Sequence, residues 1–400
     1  MIVPYPFLRP LLNVNLAWAG VDLELFPEDF PDGELAATGI THLAQHNRSL
    51  SRPLTLPWLM PGDREIYARN SIATQLPVEQ LILTLPGEDL DQDLSFLRHP
   101  GFRIAAQADS NATLNHLIQR KADWAVLDAR QARDQISPLE LARAKEAGLV
   151  LVARQVRNND LLAWCGARGF NLVSNEFLFR PDEVDGTVPD PAKLRLLKIL
   201  SLIVQDADTR ELEELFKQET KLSYNLLRLV NSVSLGVTTR ISSFGQAITL
   251  LGRRQLQRWL QLLIYAHQFS EEQQPNPLMQ QAALRGALME RLAMAAAPDK
   301  AEDRDFRDCA YMVGAFSLLN ILLHLSMSDI LAALPLTEEV QGALAAHAGQ
   351  LGHLLAILEH GDRGEFALAV PLLETEGISP TVFGALQIDA LAWAGQVALA

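Results

Sequence analysis

The sequence predicts an α/β domain followed by an all-α domain, and three observations carry that prediction. Short β-prone runs alternate with helix-patterned gaps through the first half. A stretch rich in proline and acids then interrupts the alternation. Beyond it the periodic segments read as helices.

Taken in order, the β-prone runs are Leu11–Trp18, Leu54–Leu59, Leu81–Leu85, Arg103–Gln107, Trp124–Leu127, Leu149–Ala153 and Asn171–Ser174. Helices are predicted over Ser110–Arg120, Pro138–Ala147 and Asn158–Arg168. Units of roughly 20–25 residues are what a strand, a helix and two short loops require, and such alternation argues a parallel sheet. The chain has no GxGxxG phosphate loop, so a TIM-like (β/α) barrel, incomplete or distorted, fits better than a doubly wound sheet. The stretch PDEVDGTVPDPAK, with three prolines and four acids, reads as a linker. The expected organisation is therefore a barrel over 1–181, a linker over 182–193 and a helical domain over 194–400. In that last part Leu194–Val204 is apolar around most of its circumference, Gly252 supplies a left-handed stop, and Thr337 opens a further helix.

Composition narrows the function classes. A net charge of −14 repels a phosphate backbone, and the basic residues are scattered, so nucleic acid is excluded as a direct ligand. Cys165 and Cys309 lie far apart and outside any CxxC, which suits a reducing compartment. The opening MIVPYPFLRPLL has no basic n-region, and the most apolar run, Phe316–Met327, is too short to span a bilayer. The expectation is a cytoplasmic protein without membrane insertion.

The segment LLRLVNSVSLGVTTRISSFGQAITLLGRRQLQRWL, residues 226–260, resembles the signature of HDOD domains, and AYMVGAFSLLN and PLTEEVQGALAAHAGQLGHLLAIL resemble later parts of that family. HDOD domains are similar in fold to metal phosphohydrolases that use an adjacent His and Asp. The resemblance puts that pair at Ser317-Leu318, which implies a silent metal site. His324, His347, His353 and His360 read as surface or singly hydrogen-bonded histidines. Within the signature, Asn231, Ser232, Ser243 and Gly252 read as structural, through helix ends and caps. Leu235, Val237, Arg240, Arg253 and Arg254 need no such role and are candidates for a protein-contact patch with a cationic rim.

The first half resembles EAL domains, which hydrolyse cyclic di-GMP with two metal ions. GFRIAAQAD, ADWAVLDA, LVARQV and GFNLVSNEFLFRP carry this resemblance. It implies that the family's paired aspartates fall on Gln107 and Ala108, its lysine on Val126 and a following aspartate on Asp128. Its two later glutamates fall on Arg154 and Arg157, its glutamine on Ser174 and an earlier glutamate on Thr84. The eponymous Glu-Ala-Leu lies near VDLELF, with Glu24 out of register. Asp109, Asp128 and Glu176 read as loop caps or partners for the arginines.

Read in this way, the chain is expected to be no enzyme, to hold no metal or other cofactor, and to act on unidentified signalling proteins, with cyclic di-GMP not expected as a ligand. The leading expectation is a non-catalytic adaptor acting through protein contacts in cyclic-di-GMP-linked regulation. The alternative is a receptor for cyclic di-GMP or another anion, gripped by Arg154 and Arg157. A third class, a working phosphodiesterase, needs a ligand set that the sequence does not display.

Overall fold

The computed structural model describes residues 3–27, 33–62, 79–99, 101–179, 191–205, 246, 252–266 and 276–398. The chain divides into two compact units. The first holds Met1–Asp182 together with Gly361–Pro371 and Ile378–Asp389; the second holds Glu183–His360, Leu372–Gly377 and Ala390–Ala400. This differs from a single boundary at 182–193, because two stretches near the C-terminus pack with the barrel.

The first unit is a closed barrel of eight strands in sequence order. They are β1 Tyr5–Leu12, β2 Trp18–Phe26, β3 Trp58–Pro61, β4 Leu81–Leu85, β5 Arg103–Gln107, β6 Trp124–Asp128, β7 Val150–Arg154 and β8 Leu172–Ser174. From β2 to β8 neighbours run parallel; β1 runs antiparallel to both β2 and β8. Seven strands were expected where the structure has eight, because the predicted run Leu11–Trp18 is the turn of a hairpin. There Asn13 folds the chain back, its Oδ1 accepting the N–H of Asn15 and of Ala17 at 2.9 and 3.1 Å.

Along each strand side chains alternate between the barrel interior and the helices outside. Leu11, Leu59, Ile82, Ala105, Trp124, Val126, Val152 and Leu172 fill the interior in one cluster. Around the strands lie α1 Gly33–Ser49, α2 Asn111–Gln119, α3 Ala129–Gln135, α4 Pro138–Glu146 and α5 Asn159–Arg168. The last four start on side-chain caps: Ser110, Asp128, Ser137 and Asn158 each accept a backbone N–H of the first turn. Cys165 on α5 is buried, and burial pushes its thiol up to about 12. Iodoacetamide at ~pH 8 should therefore leave Cys165 unmodified in the native protein and label it after denaturation, read by peptide mass. Fast labelling of the native protein would contradict this burial.

The described part of the second unit is helical. Its helices include α6 Pro191–Val204, α7 Arg253–Ala266, α8 Pro277–Ala296, α9 Arg304–Phe316, α10 Leu319–Leu323, α11 Met327–Ala333 and α12 Glu338–Ala346, the last capped by Thr337. Helices α8 and α9 meet at a glycine pair. A Cβ on Gly314 would lie 2.4 Å from the Arg285 carbonyl oxygen, and one on Gly286 would lie 2.9 Å from the Tyr311 ring. Beside that crossing Arg258 donates to both oxygens of Glu290 and to Asp308, while Arg307 donates to Glu290. The chain then runs through α13 Gly349–Asp362, α14 Phe366–Thr375 and α15 Pro380–Ala398. No helix among the described residues is long and apolar enough to cross a membrane.

Candidate functional site: the charged mouth of the barrel

Sites in (β/α) barrels form at the carboxyl ends of the parallel strands. At that end of this barrel five charged side chains converge. Arg9 of β1 lies opposite Asp22 of β2, and Glu24 follows two residues on, so all three point to the interior face. Arg154 ends β7, and Glu176 follows β8.

The five form two ion-paired groups. Arg154 grips Asp22 through two hydrogen bonds, Nε to Oδ2 at 2.8 Å and a terminal nitrogen to Oδ1 at 2.6 Å. The Asp22 side chain is 1% exposed, so the carboxylate end of this bidentate bond is shielded from solvent. Arg9 donates to Glu176 at 2.8 Å and, through its other terminal nitrogen, to Glu24. The Ser174 hydroxyl donates to the second oxygen of Glu176 and accepts the backbone N–H of Val156. Burial opposes the charge on Arg9, but Glu24, Glu176 and Asp22 together outweigh it and raise its pKa. Arg154 behaves likewise, with Asp22 and Glu24 overcoming its burial. For Glu24 burial dominates and moves the carboxyl above its ordinary value, against the pull of Arg9.

The residues singled out from the sequence fall around this cluster. Arg154 is inside it; Arg157, in the loop after β7, is exposed and donates through Nε and a terminal nitrogen to the neutral amide oxygen of Gln155. Thr84, next to last in β4, has a buried hydroxyl with no hydrogen-bond partner. Gln107 is exposed at the end of β5, and Val126 lies in the apolar cluster below the mouth. Asp128 caps α3 through the N–H of Gln131, and Asp109 accepts the Thr113 hydroxyl. The sequence reading missed Arg9 and Asp22. The signal available was charge at alternate positions inside apolar runs, in FLRPLL and VDLELF, which places such residues on one face of a strand.

In the second unit the Ser317 hydroxyl is buried, accepting from Arg285 and donating to the Gly314 carbonyl, both at 2.8 Å. His347 pairs with Glu359 and His353 with Glu376, each at 3.2 Å. Gly252 has a left-handed φ of +77°. Arg254, exposed, faces Asp305 and Asp308 at 3.2 and 3.5 Å. Arg253 begins α7. Asn231, Ser232, Leu235, Val237, Arg240 and Ser243 lie outside the described residues.

The HDOD domain model matches residues 193–307. That part of the chain is an HDOD domain. Over 216 residues the chain is 27% identical to the cyclic di-GMP phosphodiesterase CdgJ of Vibrio cholerae, covering 54% of this chain and 48% of that protein. The chain spans about half the length of the curated relatives it matches, 48% and 51%. The fold is similar to that of solved EAL proteins. Bacillus subtilis YkuI, in complex with cyclic di-GMP and calcium, is 14% identical, with coverage of 62% of this chain and 71% of that one and a TM-score of 0.35. The Xanthomonas citri FimX EAL domain, in complex with cyclic di-GMP, is 14% identical, with coverage of 46% and 90% and a TM-score of 0.35. A closed eight-stranded barrel thus precedes the HDOD domain.

These findings correct two expectations. That the chain is no enzyme is overturned by CdgJ, whose name is that of a phosphodiesterase. That cyclic di-GMP is not expected as a ligand is contradicted by the same relative, which is named for that dinucleotide. The physical reason is that loss was inferred position by position, whereas the mouth draws charged groups from Arg9, Asp22 and Glu176, to which that reading gave no part in a ligand site. A pair of divalent ions, which the EAL resemblance implies, does not fit the mouth as built. Asp22, Glu24 and Glu176 are each engaged by an arginine, and no three His, Cys, Asp or Glu among the described residues are placed to hold a metal.

Proposed function

We propose that this chain is a signal-transduction protein of cyclic-di-GMP-linked regulation, in which the barrel mouth receives the dinucleotide and the HDOD domain acts on a protein partner. The observation that carries this reading is the arrangement of guanidinium groups at the mouth. Arg9 and Arg154 are neutralised by carboxylates, so the interior is closed to further charge. Arg157 stands at the rim on a neutral acceptor and is exposed. A phosphodiester displacing the Gln155 amide would gain a charge-assisted, two-pronged hydrogen bond. The protein-contact role is assigned to the HDOD half, where Leu235, Val237, Arg240, Arg253 and Arg254 combine apolar and cationic groups in sequence.

Calorimetric titration of cyclic di-GMP tests the reading. Saturable binding is expected, and Arg157→Ala should weaken it by about tenfold to a hundredfold, the worth of one charge-assisted hydrogen bond. Thermal stability should be unchanged, since Arg157 is exposed and its bonds go to the nearby Gln155 amide. No saturable binding, or the same affinity in the variant, would overturn the assignment.

A second reading, turnover of cyclic di-GMP, is favoured by the name of the Vibrio cholerae relative. It is checked by separating linear from cyclic dinucleotide after incubation with magnesium or manganese. Linear product that EDTA abolishes supports turnover, and its absence removes this reading while leaving the binding test intact.

A further inference from the structure

Strand β1 pairs with β8 only at Leu11 and Leu12, which leaves the other edge of its first half without a strand neighbour. That half also contains Pro6, which has no N–H to offer. The structure supplies a substitute from far along the chain. The Gln387 side-chain amide accepts the N–H of Leu8 at 2.9 Å and donates to the carbonyl of Pro6 at 2.8 Å. One glutamine thus completes the ladder as a strand would. Gly384, one turn earlier, permits the approach, because a Cβ there would meet Leu43 at 2.4 Å and Pro6 at 2.9 Å.

The same stretches reach Arg9. Phe366 stacks on Phe7 with ring centroids 4.1 Å apart, and its ring lies 5.6 Å from the Arg9 guanidinium carbon. Gly364, at φ +72°, turns the backbone beside the guanidinium; a Cβ there would stand 3.5 Å from an Arg9 nitrogen. Arg9 is the residue that holds Glu24 and Glu176. Its guanidinium carries those two carboxylates on one side and an aromatic face on another, which leaves it little freedom.

We propose that residues 361–371 and 378–389 form a strap that positions Arg9 in the barrel mouth, with Phe366 as the positioning residue. The strap sets the charge presented by Glu24 and Glu176 and leaves the Asp22–Arg154 pair alone. This rests on the reading of the mouth as the functional site, but its test uses no nucleotide, so the two can fail separately.

The test is carboxylate footprinting of the full chain with a carbodiimide and an amine, read by peptide mass. In the unmodified protein Glu24 and Glu176 should label slowly. Phe366→Ala should raise their labelling by about fivefold or more, as expected for a local opening, while Asp22 stays at its unmodified rate. Phe366→Tyr keeps the ring and should restore slow labelling. Asp22 is the internal control, because general loosening of the barrel would expose it too. Equal gains at Asp22, Glu24 and Glu176, or Glu24 and Glu176 rates in Phe366→Ala within twofold of the unmodified protein, would overturn the strap. If Phe366→Ala does not fold, Gln387→Leu is read against the same criteria.

Discussion

Replacing Arg154 with methionine should destabilise the barrel by about 3–5 kcal/mol, the cost of leaving one member of a buried ion pair without its partner. Asp22 is 1% exposed and receives two hydrogen bonds from Arg154, so its carboxylate would be left buried without its charge partner. The double variant Asp22→Asn with Arg154→Met removes both charges and should recover most of the loss, because the pair is strongly coupled. Arg157→Met is the exposed control and should change stability by less than about 0.5 kcal/mol. Urea unfolding followed through the barrel tryptophans gives the comparison. If Arg154→Met and Arg157→Met unfold at the same denaturant concentration, the Asp22–Arg154 pair is not the buried element described here.

The second large effect is expected in the helical unit. Gly314→Ala places a methyl group where the Arg285 carbonyl oxygen would be 2.4 Å away and the Gly286 Cα 2.8 Å away. These are backbone atoms, which cannot rotate aside as a side chain can, so α8 and α9 must move apart. Overpacking of this kind costs about 3 kcal/mol, which for a unit of this size lowers the melting temperature by about 6–12 °C. Gly342→Ala, inside α12, meets the Ala348 Cβ at 3.4 Å. It should be neutral or stabilise by up to about 1 kcal/mol, since alanine is the better helix former. Thermal melts by circular dichroism separate the two, and an unchanged transition in Gly314→Ala would show that the helices do not cross at this glycine.

The positions of most strands and helices were legible because each depends on local pattern. Runs such as LILTL and WAVLD are short, apolar and bounded by turns, and the caps at Ser110, Ser137 and Asn158 stand where the sequence places the helix starts. The hairpin was not read: Pro6 and Pro10 lie inside the first strand, and proline is a poor strand signal. The error at the site had a different origin. Position-by-position comparison counted the carboxylates that were missing from Gln107, Ala108 and Thr84, and gave no site role to the charges that had arrived elsewhere. Arg9 and Asp22 lie in runs that read as strand, and neither is informative until the barrel closes and brings β7 and the segment after β8 to β1 and β2.

By itself, the sequence determined the alternation that makes a barrel, the helical second half, and the HDOD signature, since these rest on periodicity and on residues close together in the chain. The tertiary structure decided the rest. Only folding pairs Arg154 with Asp22, 132 residues apart, and only folding sets Gln387 against Leu8, 379 residues apart. Such bonds leave little trace in composition or spacing, because an arginine or a glutamine has the same propensity whether its partner is water or a buried carboxylate. Burial is what turns a common side chain into a site, and burial is a property of the closed chain.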